Sequence, residues 1–415
     1  MESVNRINYE MNKKYFKNIF KLQSKSLYYT NYFSTATSTF MVVSDLLWKN
    51  MKQFENTSDV KELVNGWVQK ESVLDDLSKE GYEVLAANYP PLYKDEINYC
   101  NLLGKNIKVK YYERHAKLME DVNGVVSGDA PFLLYVTDNT GHLYYTDVNK
   151  DASSNSLEYW QKGFENIDTT FGKIIDAIEK NGKLEDTIIV AYGDHGDDFW
   201  GHSLNGGLCH GNEPFANIIN TPLIIYNADY EADVVNELVQ TTDIFSIINN
   251  MLTKSKAKLH VGRKHIFSRN LYANQTFNHK LLNKAYSAAN KDYNLIVSKK
   301  GLELYAYHLD FTNSYNLLEL FNMDKNGMIT PIEMYDMHVH FKKFFTEKQI
   351  KDIQNNLIEL RSILKKEIHR LYKDLELDGN ECRLKKSYFN KINYRKRNNY
   401  VFQNRKKKLM EKVGL

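Results

Sequence analysis

Cysteine is nearly absent from this chain of 415 residues: Cys100, Cys209 and Cys382 are odd in number and far apart. They supply no disulfide framework and none of the paired spacing of a cysteine metal site, so each reads as a small buried or incidental residue. Proline is scarce as well, with six in all. Internal repeats and low-complexity segments are missing outside the C-terminal tail. No apolar run approaches the ~20 residues of a membrane span, and no secretory leader opens at Met1. As written, the chain is expected to be neither secreted nor membrane-spanning. What is present is an ordinary globular composition, 42% hydrophobic and 26% charged, with 29 tyrosines and 20 phenylalanines to bury. That is enough for one large or two ordinary domains.

The net charge of +3 hides an asymmetry. From Arg383 to Leu415 there are twelve Lys and Arg against the single Glu411, a net of +11, which leaves −8 on the preceding residues. Such a tail, with Tyr388, Phe389, Tyr394, Tyr400 and Phe402 interleaved, is expected to meet an anionic membrane surface. No nucleic-acid-binding signature accompanies it, and no nucleic-acid partner is expected.

One stretch stands out, Thr187-Ile188-Ile189-Val190-Ala191-Tyr192-Gly193-Asp194-His195-Gly196. A β-branched apolar run stops at glycine and delivers a carboxylate and an imidazole, at the place where ligands sit in an open α/β sheet. Asp with His suits a divalent cation such as Zn²⁺ or Mn²⁺. A strand ending in a polar turn is the plain alternative. Residues 131–136 form a second strand, and His142 follows just past its end. Between the two strands, Phe164, Ile167, Phe171, Ile174, Ile175 and Ile178 share one helix face that stops at Gly182, which predicts a right-handed crossover. Beyond lies a long polar segment, 197–220, with Asp197, Asp198, His202, His210 and Gly211, of the kind that covers strand ends.

Upstream, residues 12–23 read as a helix, 31–39 as a hydroxyl-rich turn and 40–50 as another helix. A hydroxyl cluster at a helix start is either an N-cap or a nucleophile held where the dipole favours an anion. Residues 72–87 read as helix, glycine stop and strand. A strand is predicted over 221–226 and a helix over 242–252. From Val261 to Leu320 the pattern is strand-rich and irregular. Asp324-Lys325-Asn326-Gly327 hints at a calcium loop, but its sixth and twelfth positions are Ile329 and Tyr335, which excludes an EF-hand. Thr346 and Gln349 form a capping box ahead of a helix striped by Ile350, Ile353, Leu357, Leu360, Leu364 and Leu371.

In this order, the pieces resemble the alkaline phosphatase and sulfatase superfamily, and within it the phosphotransferase branch of lipoteichoic acid synthase and the lipid A phosphoethanolamine transferases. Glu2-Ser3 is similar to the first metal ligand, and Thr39, seven residues before Leu46-Leu47, to the nucleophile. Gly81-Tyr82-Glu83-Val84 resembles the early helix-to-strand turn. Thr140-Gly141-His142-Leu143-Tyr144-Tyr145 is similar to an Asn-His-Gly-Pro-x-Tyr-Tyr region. Thr187 to Asp197 resembles the strand and Asp-His-Gly-Glu motif, with Asp197 in place of Glu. Leu208-Cys209-His210-Gly211 and Thr221-Pro222-Leu223-Ile224 match later blocks, and Tyr293-Asn294-Leu295-Ile296 and Glu303-Leu304-Tyr305 echo the smaller subdomain. The likeness covers roughly residues 1 to 320. A sulfatase would need Cys or Ser in a Cys/Ser-x-Pro-x-Arg context for conversion to formylglycine, whereas this chain has Thr39-Phe40-Met41-Val42-Val43.

The resemblance implies a mainly parallel α/β sheet sandwiched by helices, with a small C-terminal subdomain. It divides the chain into a catalytic domain over 1–255, a subdomain over 256–325 and a helical, basic extension over 326–415. It implies one divalent metal, Zn²⁺ or Mn²⁺ with Mg²⁺ or Ca²⁺ as alternatives, held by Glu2, Asp194, His195 and the Thr39 oxygen. Asp197 would support the ligands. Thr39 would attack a phosphodiester and form a phosphothreonine, while His142 and His210 stabilise the phosphoryl oxygens or protonate the leaving group, His202 being the substitute for His210. The expected donor is a phospholipid or other phosphodiester, and the acceptor a cell-envelope glycan or lipid. A sulfatase-like phosphodiesterase or sulfuric ester hydrolase, and a degenerate non-catalytic relative, are the alternatives. The family's strand ahead of Glu2 and the relatives' membrane region would both precede Met1. With them the protein would be extracytoplasmic and anchored; as written it reads as cytoplasmic or peripheral.

Overall fold

A computed structural model describes residues 14–48, 71–91, 103–142, 156–197, 210–211, 213–253, 262–270, 284–307, 316–332, 335–336, 339–340, 345–374 and 386–393. Glu2, Asp198, His202, the three cysteines and nearly all of the basic tail lie outside the described residues.

The first elements are α1 (Lys17–Gln23), β1 (Leu27–Phe33), α2 (Thr39–Trp48), α3 (Val73–Lys79), β2 (Glu83–Tyr89) and β3 (Val109–Tyr111). Then follow α4 (His115–Ser127), β4 (Phe132–Asp138), α5 (Ser156–Lys180), β5 (Ile189–Tyr192), α6 (Ala216–Ile219), β6 (Leu223–Tyr226), β7 (Asp233–Gln240) and α7 (Ile244–Leu252). The remainder is a set of four strands, β8 (Ile266–Arg269), β9 (Ala285–Ala289), β10 (Tyr293–Ser298) and β11 (Gly301–Ala306). Two short hairpins over 321–340 and the long α8 (Glu347–Asp374) come after it.

Two sheets carry the α/β part. One has the order β5-β6-β1-β7, with β1 parallel to β7 and β6 antiparallel to both β1 and β5, so three of its four strands run one way. The other, β3-β2-β4, is wholly parallel. The helix α5 joins β4 to β5. These two strands share no backbone ladder among the described residues and meet through the hydroxyls of Tyr135 and Tyr192, 3.0 Å apart. The α5 stripe read from the sequence faces the core, buried at Phe164 and Ile178 and half-buried between them: Phe164 meets Phe16 with ring centroids 4.9 Å apart, and Ile178 packs with Leu118 and Val122 of α4.

The turn predicted over 31–39 needs correction, because Asn31, Tyr32 and Phe33 end the strand β1. A strand with neighbours on both edges and cover on both faces shows no apolar–polar alternation. Six of its seven residues are buried, and its polar members bond within the sheet. Thr30 Oγ1 donates to Asn236 Oδ1 at 2.7 Å, and Asn31 Nδ2 to the Asn236 carbonyl at 2.8 Å. The helix that follows, α2, is buried along its whole length from Met41 to Trp48, including the carboxylate of Asp45.

The third sheet, β11-β10-β9-β8, is antiparallel, and its two faces follow period two. Tyr286, Ala288, Leu295, Val297, Leu302 and Leu304 pack under the α8 stripe of Ile353, Leu357, Leu360 and Leu364. The opposite face brings Ala285, Ala289, Ile296 and Tyr305 onto Phe33, Phe215, Ile218 and Ile219 of the α/β part. The capping box ahead of α8 is formed: the Gln349 amide donates to Thr346 Oγ1 at 3.2 Å, and the Thr346 amide to Gln349 Oε1 at 2.9 Å. Thr346→Ala is expected to lower unfolding stability by about 1 kcal/mol in urea titration.

Candidate active site

Two chain reversals bring the candidate residues together. At the end of β5 the Gly193 amide donates to the Pro222 carbonyl at 3.0 Å, and the Thr221 hydroxyl donates to the Gly193 carbonyl at 2.6 Å. That ties the exit of β5 to the entry of β6 and leaves Asp194 and His195 beyond the strand end. The next residue must be small: the Gly196 amide donates to the Ile218 carbonyl at 2.7 Å, and a Cβ there would lie 2.4 Å from the Asn217 carbonyl oxygen. At the end of β1 the Ser34 amide donates to the Ile219 carbonyl at 2.6 Å. The chain then turns through 34–38, and Thr39 opens α2.

The turn holds several hydroxyls, and the geometry separates them. Ser34 Oγ is used locally on the Ala36 carbonyl, and the buried hydroxyls of Thr35, Thr37 and Ser38 find no hydrogen-bond partner among the described residues. Thr39 Oγ1 lies 3.0 Å from His195 Nε2. His195 Nδ1 is 3.1 Å from its neighbour's carbonyl, Gly196 O. A carbonyl only accepts, so Nδ1 carries the proton and the Nε2 lone pair faces the Thr39 hydroxyl. Asp194 Oδ2 stands 3.6 Å from the same Nε2.

The other two histidines adjoin this group. The His210 ring lies 4.1 Å from the His195 ring, and the His142 ring meets His210 edge-on at 5.3 Å. Asp197 Oδ1 accepts from His210 Nδ1 at 3.0 Å, and Asn217 Nδ2 donates to the Asp197 carbonyl at 3.4 Å. The Gly211 amide donates to the Thr37 carbonyl at 2.8 Å, which pins His210 to the turn that leads into Thr39. Thus Thr39, His142, Asp194, His195, Asp197 and His210 converge, although they come from four separate segments. Sequence reading missed Asn217 and the backbone of Thr37, neither of which carries a motif of its own.

Burial dominates the electrostatics. It pulls the His195 imidazole down to about 4, against the opposing pull of Asp194. His142 is lowered in the same way, by burial first and by His210 second. Burial would raise Asp194, but His195, the Thr39 hydroxyl and the His195 amide hold its carboxyl well below the usual range. Burial also works to raise Asp197, and the hydrogen bond and charge of His210 outweigh it, leaving that carboxyl lowered too. In the metal-stripped protein, an NMR titration should find the His195 resonance turning over near pH 4 rather than near the ordinary ~6.5. The unfolded chain would then bind this proton first. The contribution of His195 to stability is therefore complete above about pH 6.5 and is lost as pH falls toward 4.

An ionised carboxylate, a neutral imidazole with a fixed tautomer and a hydroxyl form a donor set that fits a divalent cation. No cluster of three His, Cys, Asp or Glu residues suited to a metal occurs among the described residues. Glu2, the remaining ligand expected from the sequence, lies outside them.

The family model named Sulfatase matches residues 1–252. The chain belongs to the sulfatase family. Members of the family use a metal ion, in accord with the donor set just described. Solved structures similar to this sulfatase-family chain carry the same architecture over most of its length. A protein from Bacteroides thetaiotaomicron assigned as a sulfatase is 12% identical, with a TM-score of 0.61 over 91% of each chain. A 2-O GAG sulfatase is 12% identical, with a TM-score of 0.57 over 87% of this chain and 88% of that one. A protein in the alkaline phosphatase superfamily from Vibrio parahaemolyticus is 13% identical, with a TM-score of 0.50 over 85% and 82%. The fold is thus alkaline-phosphatase-like, an α/β core built on mainly parallel sheets with helices. A search of curated protein sequences found no match.

Proposed function

We propose that this sulfatase-family chain is a metal-dependent phosphotransferase that works through a phosphothreonine at Thr39. The observation that carries the reading is the 3.0 Å contact between Thr39 Oγ1 and His195 Nε2, beside Asp194. Threonine is neither of the residues that mature to formylglycine, and no Pro or Arg follows it at the required positions. An unmodified hydroxyl suits attack on phosphorus.

Asp194, His195 and the Thr39 oxygen, with Glu2, would hold the metal, which supplies a lowered hydroxyl pKa and positive charge for the phosphoryl oxygens. The protein's own groups do the rest. His195, neutral and with its proton locked on Nδ1, keeps its Nε2 lone pair 3.0 Å from the Thr39 oxygen, where both would serve as donors to the metal, and the hydroxyl proton of Thr39 passes to water as the oxygen attacks in line. As the Thr39 Oγ–P bond forms, the P–O bond to the first alcohol breaks. His210, held through Nδ1 by Asp197, offers Nε2 to carry a proton to the departing oxygen, and His142 stands beside it. A second alcohol then takes the phosphoryl group and returns the Thr39 hydroxyl. The donor class is a phospholipid or other phosphodiester, and the acceptor an envelope glycan or lipid.

Sulfate ester hydrolysis is the second reading, favoured by the fold shared with a 2-O GAG sulfatase. The two separate on aryl substrates. With Mn²⁺ or Zn²⁺ the protein is expected to cleave bis(p-nitrophenyl) phosphate, and tryptic mass spectrometry should find the phosphoryl adduct on the peptide with Thr39. Cleavage of p-nitrophenyl sulfate with no diester turnover and no adduct would replace the first reading with the second.

A further inference from the structure

Arg269 is one of the largest side chains buried among the described residues, and it lies on β8, beyond the stretch matched by the family model. A guanidinium is tolerated in an interior only when its donors find partners. Two of its nitrogens meet the two carboxylate oxygens of Asp45 at 2.9 Å each, a bidentate pair between side chains that are each 2% exposed. Asp45 stands on α2, six residues after Thr39. The same guanidinium donates to the Thr35 carbonyl at 3.3 Å, four residues before Thr39. One side chain thus grips the nucleophile segment on both sides of the nucleophile.

The backbone of β8 repeats the grip. The Arg269 amide donates to the Thr35 carbonyl and the Thr37 amide donates to the Arg269 carbonyl, both at 3.1 Å. The Ser268 hydroxyl donates to the Ser34 carbonyl at 2.6 Å. Thr37 in turn accepts from Gly211, next to His210. Apolar contacts of Ala285, Ala289, Ile296 and Tyr305 already join this sheet to the α/β part, so a buried ion pair is not needed for adhesion. What it adds is direction: a forked, planar pair fixes the turn and the helix at one mutual angle, which greasy contact does not.

We infer that the Arg269–Asp45 pair is a positioning clamp that holds the Thr39 hydroxyl in register with His195, so that residues beyond the family-matched stretch set the catalytic rate. The inference rests on Thr39 as the nucleophile. The clamp does not touch the substrate, so its loss lowers kcat and leaves KM nearly unchanged. A displacement of about 1 Å is enough for a loss on the order of 100-fold.

The test uses the full chain carrying Arg269→Met with Asp45→Leu, an apolar pair of similar volume that avoids a lone buried charge. Two quantities are read: amide hydrogen exchange over residues 37–42, and bis(p-nitrophenyl) phosphate turnover. Expected are a thermal midpoint near that of the wild type, faster exchange at 37–42, a kcat lower by about 100-fold and a KM within about twofold. Arg269→Lys, which keeps the charge but not the fork, should fall between. A folded double variant with unchanged exchange and unchanged kcat overturns the clamp. If the double variant does not fold, Asp45→Asn, which keeps the shape, is judged by the same two outcomes. The exchange measurement needs no substrate. Loss of protection in a protein whose wild type turns over no diester would uphold the clamp while overturning the phosphotransferase reading.

Discussion

Thr39→Ala should abolish phosphodiester turnover, by on the order of 10⁴-fold or more, while leaving the protein folded. Thr39 is only half-buried, and its hydroxyl meets His195 Nε2 and the Asp194 carboxylate within the site. Removing the hydroxyl therefore takes away the nucleophile without opening a core cavity. The phosphoryl adduct on the Thr39 peptide should vanish with the activity. Thr39→Ser keeps the oxygen and should retain measurable turnover. Full activity in the alanine variant would move the nucleophile elsewhere, and the neighbouring hydroxyls of Thr37 and Ser38, which reach no base among the described residues, would be the next to test.

Arg269→Ala is expected to give the largest loss of stability of any single substitution near the site. Both members of the pair are almost wholly buried. Truncation leaves the Asp45 carboxylate inside the fold without its partner and opens the volume of a long side chain at the junction of β8 and the turn. Breaking a buried pair from one side costs about 3–5 kcal/mol. Urea unfolding at neutral pH should show this loss, and it should shrink when Asp45→Leu is added, because the stranded charge is then gone. A loss under about 1 kcal/mol in the single variant would mean that water reaches Asp45 and screens it.

The parts of the molecule that sequence reading found are those whose physics is local. In Thr187–Gly196 the apolar strand, the glycine stop and both candidate ligands are consecutive, so composition alone marks the place. The α8 stripe and the Thr346–Gln349 box are likewise contained within one or a few helical turns. Thr39 emerged only through its spacing to Leu46-Leu47 and its place in an ordered series. β1 was obscured because a strand enclosed on both faces loses the alternation that identifies strands, and because Thr30 and Asn31 break its apolar run. The Arg269–Asp45 pair had no signal, since its members are 224 positions apart and each is an unremarkable charge in its own segment. Burial, which turns that pair from surface decoration into architecture, is a property of the assembled fold.

The third sheet has a consequence for how this protein can be divided. Its inner face covers Phe33, Phe215, Ile218 and Ile219, and its edge strand bonds the carbonyls of Ser34 and Thr35 and the amide of Thr37. A fragment ending where the family match ends, at residue 252, would contain all the candidate catalytic side chains and still expose a greasy seam beside open amide and carbonyl groups. Such a piece is chemically complete and physically unfinished: sequence kinship and cooperative folding draw different borders on this chain.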